Sequence, residues 1–232
     1  MTTAIILAGG LGKRLRAVVP DLPKPMAMIK NRPFLEYLMD YWIEQGITKF
    51  ILSVGYLSEK IISHFGDEYR GIQLLYAVER NPLGTGGGLL LSLKKSTEED
   101  TIILNGDTFF KINLDNFRKF HIKQKSILTI ALFKFNERNR YGAINLDVNN
   151  NVTSISVKSK DGSGFANGGV YYLKTKDFME IFKQQINLKC SFEEDLIETL
   201  IKKISLVSGK IYLEEFIDIG LPSDYIASSK FV

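Results

Sequence analysis

Through the first 125 residues, short apolar runs take turns with segments of helical periodicity, and this alternation is the strongest constraint on the fold. Residues 4–8, 50–54, 72–78 and 101–104 are brief and rich in Ile, Leu and Val, as strands buried on both faces are. Residues 31–45 place Phe34, Leu35, Leu38, Met39 and Trp42 on one helical stripe, with Gly46 as the stop. Residues 58–65, 85–93 and 113–123 predict three more helices. Strand–helix–strand units of this kind close through right-handed crossovers. The expected class is α/β, a Rossmann-like, mostly parallel mixed sheet flanked by helices.

The second half changes style. Residues 127–135, 142–146, 152–157 and 166–173 read as strands joined by short connections, which predicts antiparallel pairing. A helix is expected from Ser191, where Ser191 and Glu194 form a capping box and Leu196, Ile197, Leu200, Ile201 and Ile204 form the apolar stripe. A strand near residues 211–216 and a helix after Pro222 complete the pattern. With no repeat, linker or low-complexity tract, residues 1–232 read as a single domain.

Composition removes several classes of function. At 45% hydrophobic and 24% charged residues the chain is an ordinary globular one, and no run nears the eighteen apolar residues of a membrane helix. The N-terminus lacks a basic n-region, so no signal peptide is expected, and the lone Cys190 suits a reducing compartment; both point to the cytoplasm. Residues 1–35 hold six bases (Lys13, Arg14, Arg16, Lys24, Lys30 and Arg32) against Asp21 alone, more than the whole net charge of +4. A basic focus this compact, without interleaved aromatics, fits a small polyanion such as a nucleotide phosphate rather than a nucleic acid.

Three loops carry the candidate chemistry. Leu7-Ala8-Gly9-Gly10-Leu11-Gly12-Lys13-Arg14 follows the first strand, and its glycines allow close backbone approach with N–H groups presented to an anion. The same loop is equally readable as a glycine-rich turn bearing solvated bases, and it is neither a Walker A nor a G-x-G-x-x-G motif. Pro23-Lys24-Pro25 restrains a further cation nearby. Glu79-Arg80-Asn81-Pro82-Leu83-Gly84-Thr85-Gly86-Gly87-Gly88 opens a helix at another strand end, where its glycines would let a flat ring lie against the backbone. Asn105-Gly106-Asp107 ends the fourth strand, where open parallel sheets bind ligands. Asp107 there, and Asp218 within an apolar run, are candidates for Mg2+, although singly each also reads as a cap or salt bridge. Tyr141-Gly142 and Asn167-Gly168-Gly169 could shape a sugar pocket or be plain turns, and Lys160 reads by itself as a solvated lysine. His64 and His121 have no companions at metal-ligand spacing.

GGLGKRL, PKPM, PLGTGG, NGD and FIDIGLP, in that order and over nearly the whole chain, resemble the sugar-1-phosphate nucleotidyltransferases. Within that family, SFEED and DIGLPSDY look most like the guanylyltransferases acting on D-glycero-D-manno-heptose 1-phosphate. The resemblance implies the nucleotide-diphospho-sugar transferase type of fold, without the left-handed β-helix domain of some relatives. It also implies attack of a sugar 1-phosphate on the α-phosphorus of a nucleoside triphosphate, in the service of polysaccharide synthesis. By motif position, Leu7, Ala8, Gly9, Gly10, Gly12, Lys13, Glu79, Pro82, Gly84, Thr85 and Gly106 would contact the nucleotide. Arg14 would meet the leaving pyrophosphate, Lys24 the α-phosphate, and Asp107 and Asp218 the Mg2+. Lys160 would take the phosphate of the sugar, and Tyr141, Gly142, Asn167 and Gly168 the sugar itself.

Two positions depart from the family. Lys13 replaces the usual threonine, and Ser159 precedes Lys160 where relatives often have glutamate, removing an acceptor for a sugar hydroxyl. Glu79 stands where relatives meet the base edge. A carboxylate can accept both the N1–H and N2–H of guanine, whereas uracil offers one donor between two repelling carbonyls, so GTP is the expected nucleotide. Mannose 1-phosphate and glucose 1-phosphate remain alternative sugars, and the reading leaves monomer or homodimer open. A glycosyltransferase is disfavoured because Asp107-Thr108-Phe109 is not Asp-x-Asp. A non-catalytic nucleotide-sugar-binding subunit is disfavoured by the retention of Arg14, Asp107 and Asp218, and a protein scaffold leaves the five motifs without purpose.

Overall fold

The computed structural model describes residues 2–10, 12, 14, 15, 18–137, 140–156, 162–203, 206–220 and 222–230. In chain order the first half contains β1 (Thr3–Leu7), β2 (Met28–Ile29), β3 (Arg32–Pro33), α1 (Phe34–Glu44), β4 (Lys49–Val54), α2 (Ser58–Phe65), β5 (Glu68–Tyr69), β6 (Ile72–Val78), α3 (Gly84–Leu93), β7 (Asp100–Asn105), β8 (Thr108–Phe110) and α4 (Leu114–Gln124). The second half adds β9 (Leu128–Phe135), β10 (Ile144–Leu146), β11 (Val152–Ile155), β12 (Gly164–Lys174), α5 (Thr175–Ile181), a π-helical turn over Phe192–Ile197, α6 (Glu198–Lys203), β13 (Val207–Tyr212), β14 (Phe216–Asp218) and α7 (Pro222–Ser228).

Eight strands form the central sheet in the order β13-β9-β12-β7-β1-β4-β6-β5. β1, β4, β6 and β7 run parallel, and β13 runs parallel to β9. β12 is antiparallel to both its neighbours, β7 and β9, and β5 is antiparallel to β6. Only β12 and β5 therefore oppose the rest, and the sheet is the mostly parallel mixed one expected. Both faces are covered. Ala4 and Ile6 pack with α1 residues such as Trp42, whereas the intervening Ile5 packs with Leu89, Leu90 and Leu93 of α3. Burial on both sides is why β1 reads as an unbroken apolar run rather than an alternating one.

Three expectations need correcting. The helix over residues 31–45 begins only at Phe34, because Lys30 and Asn31 have φ of 46° and 66° and form the turn of a β2–β3 hairpin. The antiparallel pairing expected in the second half holds for β12–β9 and β10–β11, and β13 then joins the far side of β9 in parallel. The strand expected over residues 211–216 is two strands: β13 ends at Tyr212, Leu213 turns outward at 85% exposure, and β14 pairs with β8 instead. The cap at Ser191 is also shifted. Its Oγ accepts from Glu194 N at 3.2 Å as expected, yet Asp195 rather than Glu194 reaches back to Ser191 N, at 2.7 Å. The turn is wound wider, with Leu196 N donating to Ser191 O, so the returning carboxylate comes from one residue later. Among the described residues, no helix is long and apolar enough to cross a membrane.

Candidate active site

The carboxyl ends of β1, β4 and β7 meet at one rim of the sheet, the usual ligand-binding edge of a parallel α/β fold. Their terminal loops are tied together by Ala8 N donating to Ser53 O at 2.8 Å and Gly106 N donating to Leu7 O at 3.0 Å. A Cβ on Gly106 would come within 2.8 Å of Leu7 O, so only a glycine lets the β7 loop close on β1. After β1, Gly10 faces open space, whereas Gly12 has φ +57° and packs against the Lys24 stem. The loop thus offers backbone toward a cavity of about 690 Å³ while its far end is held against the cationic segment.

Charge is concentrated at one end of that cavity. Lys24 lies in a single 3₁₀ turn over Lys24–Met26, fixed on either side by Pro23 and Pro25, and its side chain is only 10% exposed. Its ammonium donates to Asp107 Oδ2 and lies 3.6 Å from Asp218 Oδ1. Residues 107 and 218, distant in sequence, meet because β14 pairs with β8 in the register Asp218 to Thr108, and Ile219 N donates to Asp107 O at 3.0 Å. Gly220 closes the cradle: its N–H donates to Asp218 Oδ1 at 2.6 Å, and a Cβ there would lie 2.5 Å from Lys24 Nζ. Burial, and then the neighbouring Asp107 carboxylate, push the Asp218 carboxyl above its ordinary range, with Lys24 and Arg14 acting the other way. Among the described residues no group of three or more His, Cys, Asp or Glu is arranged around a metal. Two carboxylates completed by phosphate oxygens and water are, however, the usual protein share of a Mg2+ site. The Lys24 ammonium already shows that this pair accepts a cation, so the residues fit Mg2+.

The base end is built differently. Glu79 is half-buried at the end of β6, its Oε2 accepting from Leu83 N at 2.7 Å and its Oε1 lying against Gly9 and Gly88. Burial raises its carboxyl above the ordinary range. The glycines of α3 do not leave a flat platform for a ring, contrary to the expectation. A Cβ on Gly86 would sit 2.8 Å from Cys190 Sγ, on Gly87 2.6 Å from Leu188 O, and on Gly88 2.6 Å from Glu79 Oε1. The chain's own 188–191 segment occupies that space, and Cys190 O accepts from Gly86 N and Gly87 N. Thr85 Oγ1 likewise accepts from Phe192 N at 2.9 Å. Gly84, Thr85 and Pro82 still line the cavity.

This docking brings in a second wall. Lys189, Ser191, Phe192 and Glu193 face the cavity opposite the glycine loop. Glu193 Oε1 accepts from Asn167 Nδ2 at 2.6 Å and from the Tyr171 hydroxyl at 3.1 Å. The cavity wall raises its carboxyl above the ordinary range, with the nearby Asp107 carboxylate adding to the effect of burial. The sequence reading missed Glu193 and Tyr171. The only available signal was a run of three acids, Glu193, Glu194 and Asp195, longer than one helix cap can use.

The other expected sugar contacts are placed apart. Tyr141 packs on Phe133, Phe135 and Phe216, bordering a separate hollow of about 470 Å³, and neither it nor Gly142 lines the main cavity. Gly168 lies under the Phe110 ring, where a Cβ would come within 2.3 Å of Phe110 Cδ1 and 3.0 Å of Ala131 O, so a glycine is needed for packing there. Lys13 and Lys160 lie outside the described residues. The cavity nevertheless unites Leu7, Ala8, Gly9, Gly10, Gly12, Arg14, Lys24, Glu79 and Asp107.

Comparison with known proteins agrees with this architecture. The chain is 44% identical over 98% of its length to the D-glycero-alpha-D-manno-heptose 1-phosphate guanylyltransferase of Aneurinibacillus thermoaerophilus, covering 96% of that protein. It is 43% identical to the enzyme of the same name from Campylobacter jejuni, with 96% of each chain covered. The crystal structure of HddC from Yersinia pseudotuberculosis superimposes with a TM-score of 0.87 at 34% identity, covering 100% of this chain and 99% of that one. A further structure of that protein is complexed with GMP-PN. The nucleotidyl transferase family profile matches residues 3–232, nearly the whole of the sequence whose loops build this cavity, and the chain belongs to that family.

Proposed function

We propose that the protein transfers GMP from GTP to D-glycero-α-D-manno-heptose 1-phosphate, releasing pyrophosphate and GDP-heptose. The observation that carries the reaction class is the meeting, in one cavity, of the glycine loop after β1, Arg14, Lys24 and Asp107. The choice of GTP and heptose is supported by the two guanylyltransferases that match nearly the whole chain at 44% and 43% identity. The proposal places the enzyme in the cytoplasm, making a nucleotide sugar for polysaccharide synthesis.

In this reading a phosphate oxygen of the sugar 1-phosphate forms a bond to the α-phosphorus while the bond to the β-phosphate oxygen breaks and pyrophosphate leaves. No covalent nucleophile is required of the protein; positioning and charge neutralisation do the work. The backbone around Gly10 and Gly12 cradles the triphosphate, and Arg14 takes the charge that develops on the pyrophosphate. Lys24 is held at the rim beside Asp107 and Asp218, where its ammonium would meet the α-phosphate. Asp107 and Asp218 are the residues to hold Mg2+, which when bound supplies Lewis-acid neutralisation and a template for the triphosphate. Glu79 receives the guanine edge: each of its oxygens keeps a lone pair after Oε2 has accepted from Leu83 N.

Pyrophosphate release tests this, with GTP, UTP, CTP, ATP and dTTP crossed against heptose, mannose and glucose 1-phosphates in the presence of Mg2+. Turnover with GTP and the heptose phosphate is expected. Turnover confined to another pair retains the reaction and removes the substrate assignment, and no turnover with any pair removes both.

A further inference from the structure

The second wall carries an acid, Glu193, that the mechanism above does not use. We propose that Glu193 is the specificity-determining acceptor for the hydroxyls of the sugar phosphate, with Asn167 and Tyr171 acting as the residues that position it. The inference rests on the proposed function, since it names the partner of the sugar in the same cavity.

The argument begins in β12. Between Asn167 and Tyr171 its pairing with β9 shifts: four steps along β12 correspond to two along β9, from Leu132 to Ile130. Gly169, with φ +72°, sits in this bulge beside Thr108 and Asn105. In a regular strand, residues four apart are about 13 Å apart along the chain direction. The bulge shortens that spacing, so that Asn167 Nδ2 lies 2.6 Å from the Tyr171 hydroxyl. Asn167 is held in place: its Oδ1 accepts from Gly169 N at 2.9 Å, and its Nδ2 is shared between Tyr171 and Glu193. Both of its N–H donors are therefore spent on Tyr171 and Glu193, which leaves one lone pair of Oδ1 open.

Both hydrogen bonds of Glu193 among the described residues go to the same oxygen, Oε1. Oε2 has no hydrogen-bond partner among them, while Glu193 lines the cavity together with Asp107 and Ser191. The carboxylate is fixed in direction by two donors from the bulge and presents its other oxygen where a substrate hydroxyl can donate. Lys189 lines the same cavity but, among the described residues, has no hydrogen bond that fixes its direction as Asn167 and Tyr171 fix Glu193. An oriented acceptor on a cavity wall discriminates against analogues that lack its donor far more sharply than apolar contact does.

The test is steady-state kinetics of Glu193→Gln with GTP, the heptose phosphate and a set of singly deoxygenated sugar 1-phosphates, alongside thermal melting. The expected result is a rise in KM for the sugar phosphate of roughly 10- to 100-fold, with KM for GTP, Mg2+ dependence and Tm unchanged. One deoxy sugar, poor with the parent enzyme, should lose no further activity in the variant. Asn167→Ala should give a smaller rise in the same KM without lowering kcat, as a positioning residue does. An unchanged sugar KM overturns the inference while leaving the guanylyltransferase reading intact. A shift instead in GTP KM or in Mg2+ dependence also overturns it, assigning Glu193 to the ribose or the metal. A parent enzyme silent with every sugar phosphate overturns the functional reading and this inference with it.

Discussion

The two walls of the cavity are made of different material. The wall formed by the ends of β1, β7 and β14 is backbone, glycine and fixed charge: Gly10 and Gly12 expose the main chain, while Lys24, Asp107 and Asp218 form one ionic cluster. The facing wall, from β12 and the π turn, is side chain: Glu193, Asn167 and Tyr171 hold one another through neutral and charge-assisted hydrogen bonds. Backbone and point charges suit phosphate, which every nucleotide carries, whereas oriented side chains suit the feature that differs between substrates. In the proposed reading the first wall carries the reaction and the second the choice of sugar.

The largest break is on the first wall. Asp107→Asn should lower kcat by about 10³-fold, the scale of losing a charge that stabilises the transferring phosphate, while leaving sugar selectivity as it was. Full turnover measured with this variant would sink the metal assignment. The second side of the molecule should be the more sensitive to acid. Behind β12 and β13, His121 is buried, its Nδ1 bonded to Thr129 Oγ1 at 2.7 Å, and Thr129 in turn lies 2.8 Å from Ser208 Oγ. Burial lowers its pKa from 6.5 to about 4. The unfolded chain thus binds the proton first, so this part of the stability is whole above pH 6.5 and is lost as pH falls towards 4. The loss comes to about 3 kcal/mol. Melting curves of His121→Phe against the parent should show a flatter acid limb; parallel limbs would remove His121 as the cause.

Two smaller changes sharpen the contrast. Gly86→Ala gains helix propensity of about 1 kcal/mol but drives a Cβ to 2.9 Å from the Ser191 backbone and 2.8 Å from Cys190 Sγ. The clash should win, lowering stability by about 1–3 kcal/mol and raising the sugar KM more than the GTP KM, because it is the second wall that is displaced. Glu79→Gln should cost GTP roughly 10-fold in kcat/KM and narrow its advantage over UTP, since an amide offers guanine one acceptor instead of two. Equal losses with both nucleotides would refute the base assignment.

The same contrast governs how much could be read in advance. The parallel half was legible: residues 72–78 and 58–65 are the observed β6 and α2, β1 and β7 differ from expectation by a residue at each end, and β4 by a residue at its start. Their periodicity follows from burial on two faces, which is a local pattern. The cationic loop and Asp107 were legible too, because a phosphate site needs glycine and charge close together in sequence. Gly86 and Gly87 were visible but their purpose was not, since the segment they accommodate lies about a hundred residues later.

What the sequence determined by itself was the strand–helix alternation, the basic glycine loop and the strand-end carboxylate, all of them written within short windows. Tertiary structure alone decided that β13 would run parallel to β9, that residues 211–216 would split, and that Asp218 would meet Asp107 through β14 and β8. It alone decided as well that a bulge in β12 and a π turn would turn Asn167, Tyr171 and Glu193 on one another. The physical reason is one of range. Hydrophobic periodicity and turn chemistry act between neighbours along the chain, whereas register, crossover and the partner of a buried carboxylate are settled by packing between segments that the sequence keeps apart.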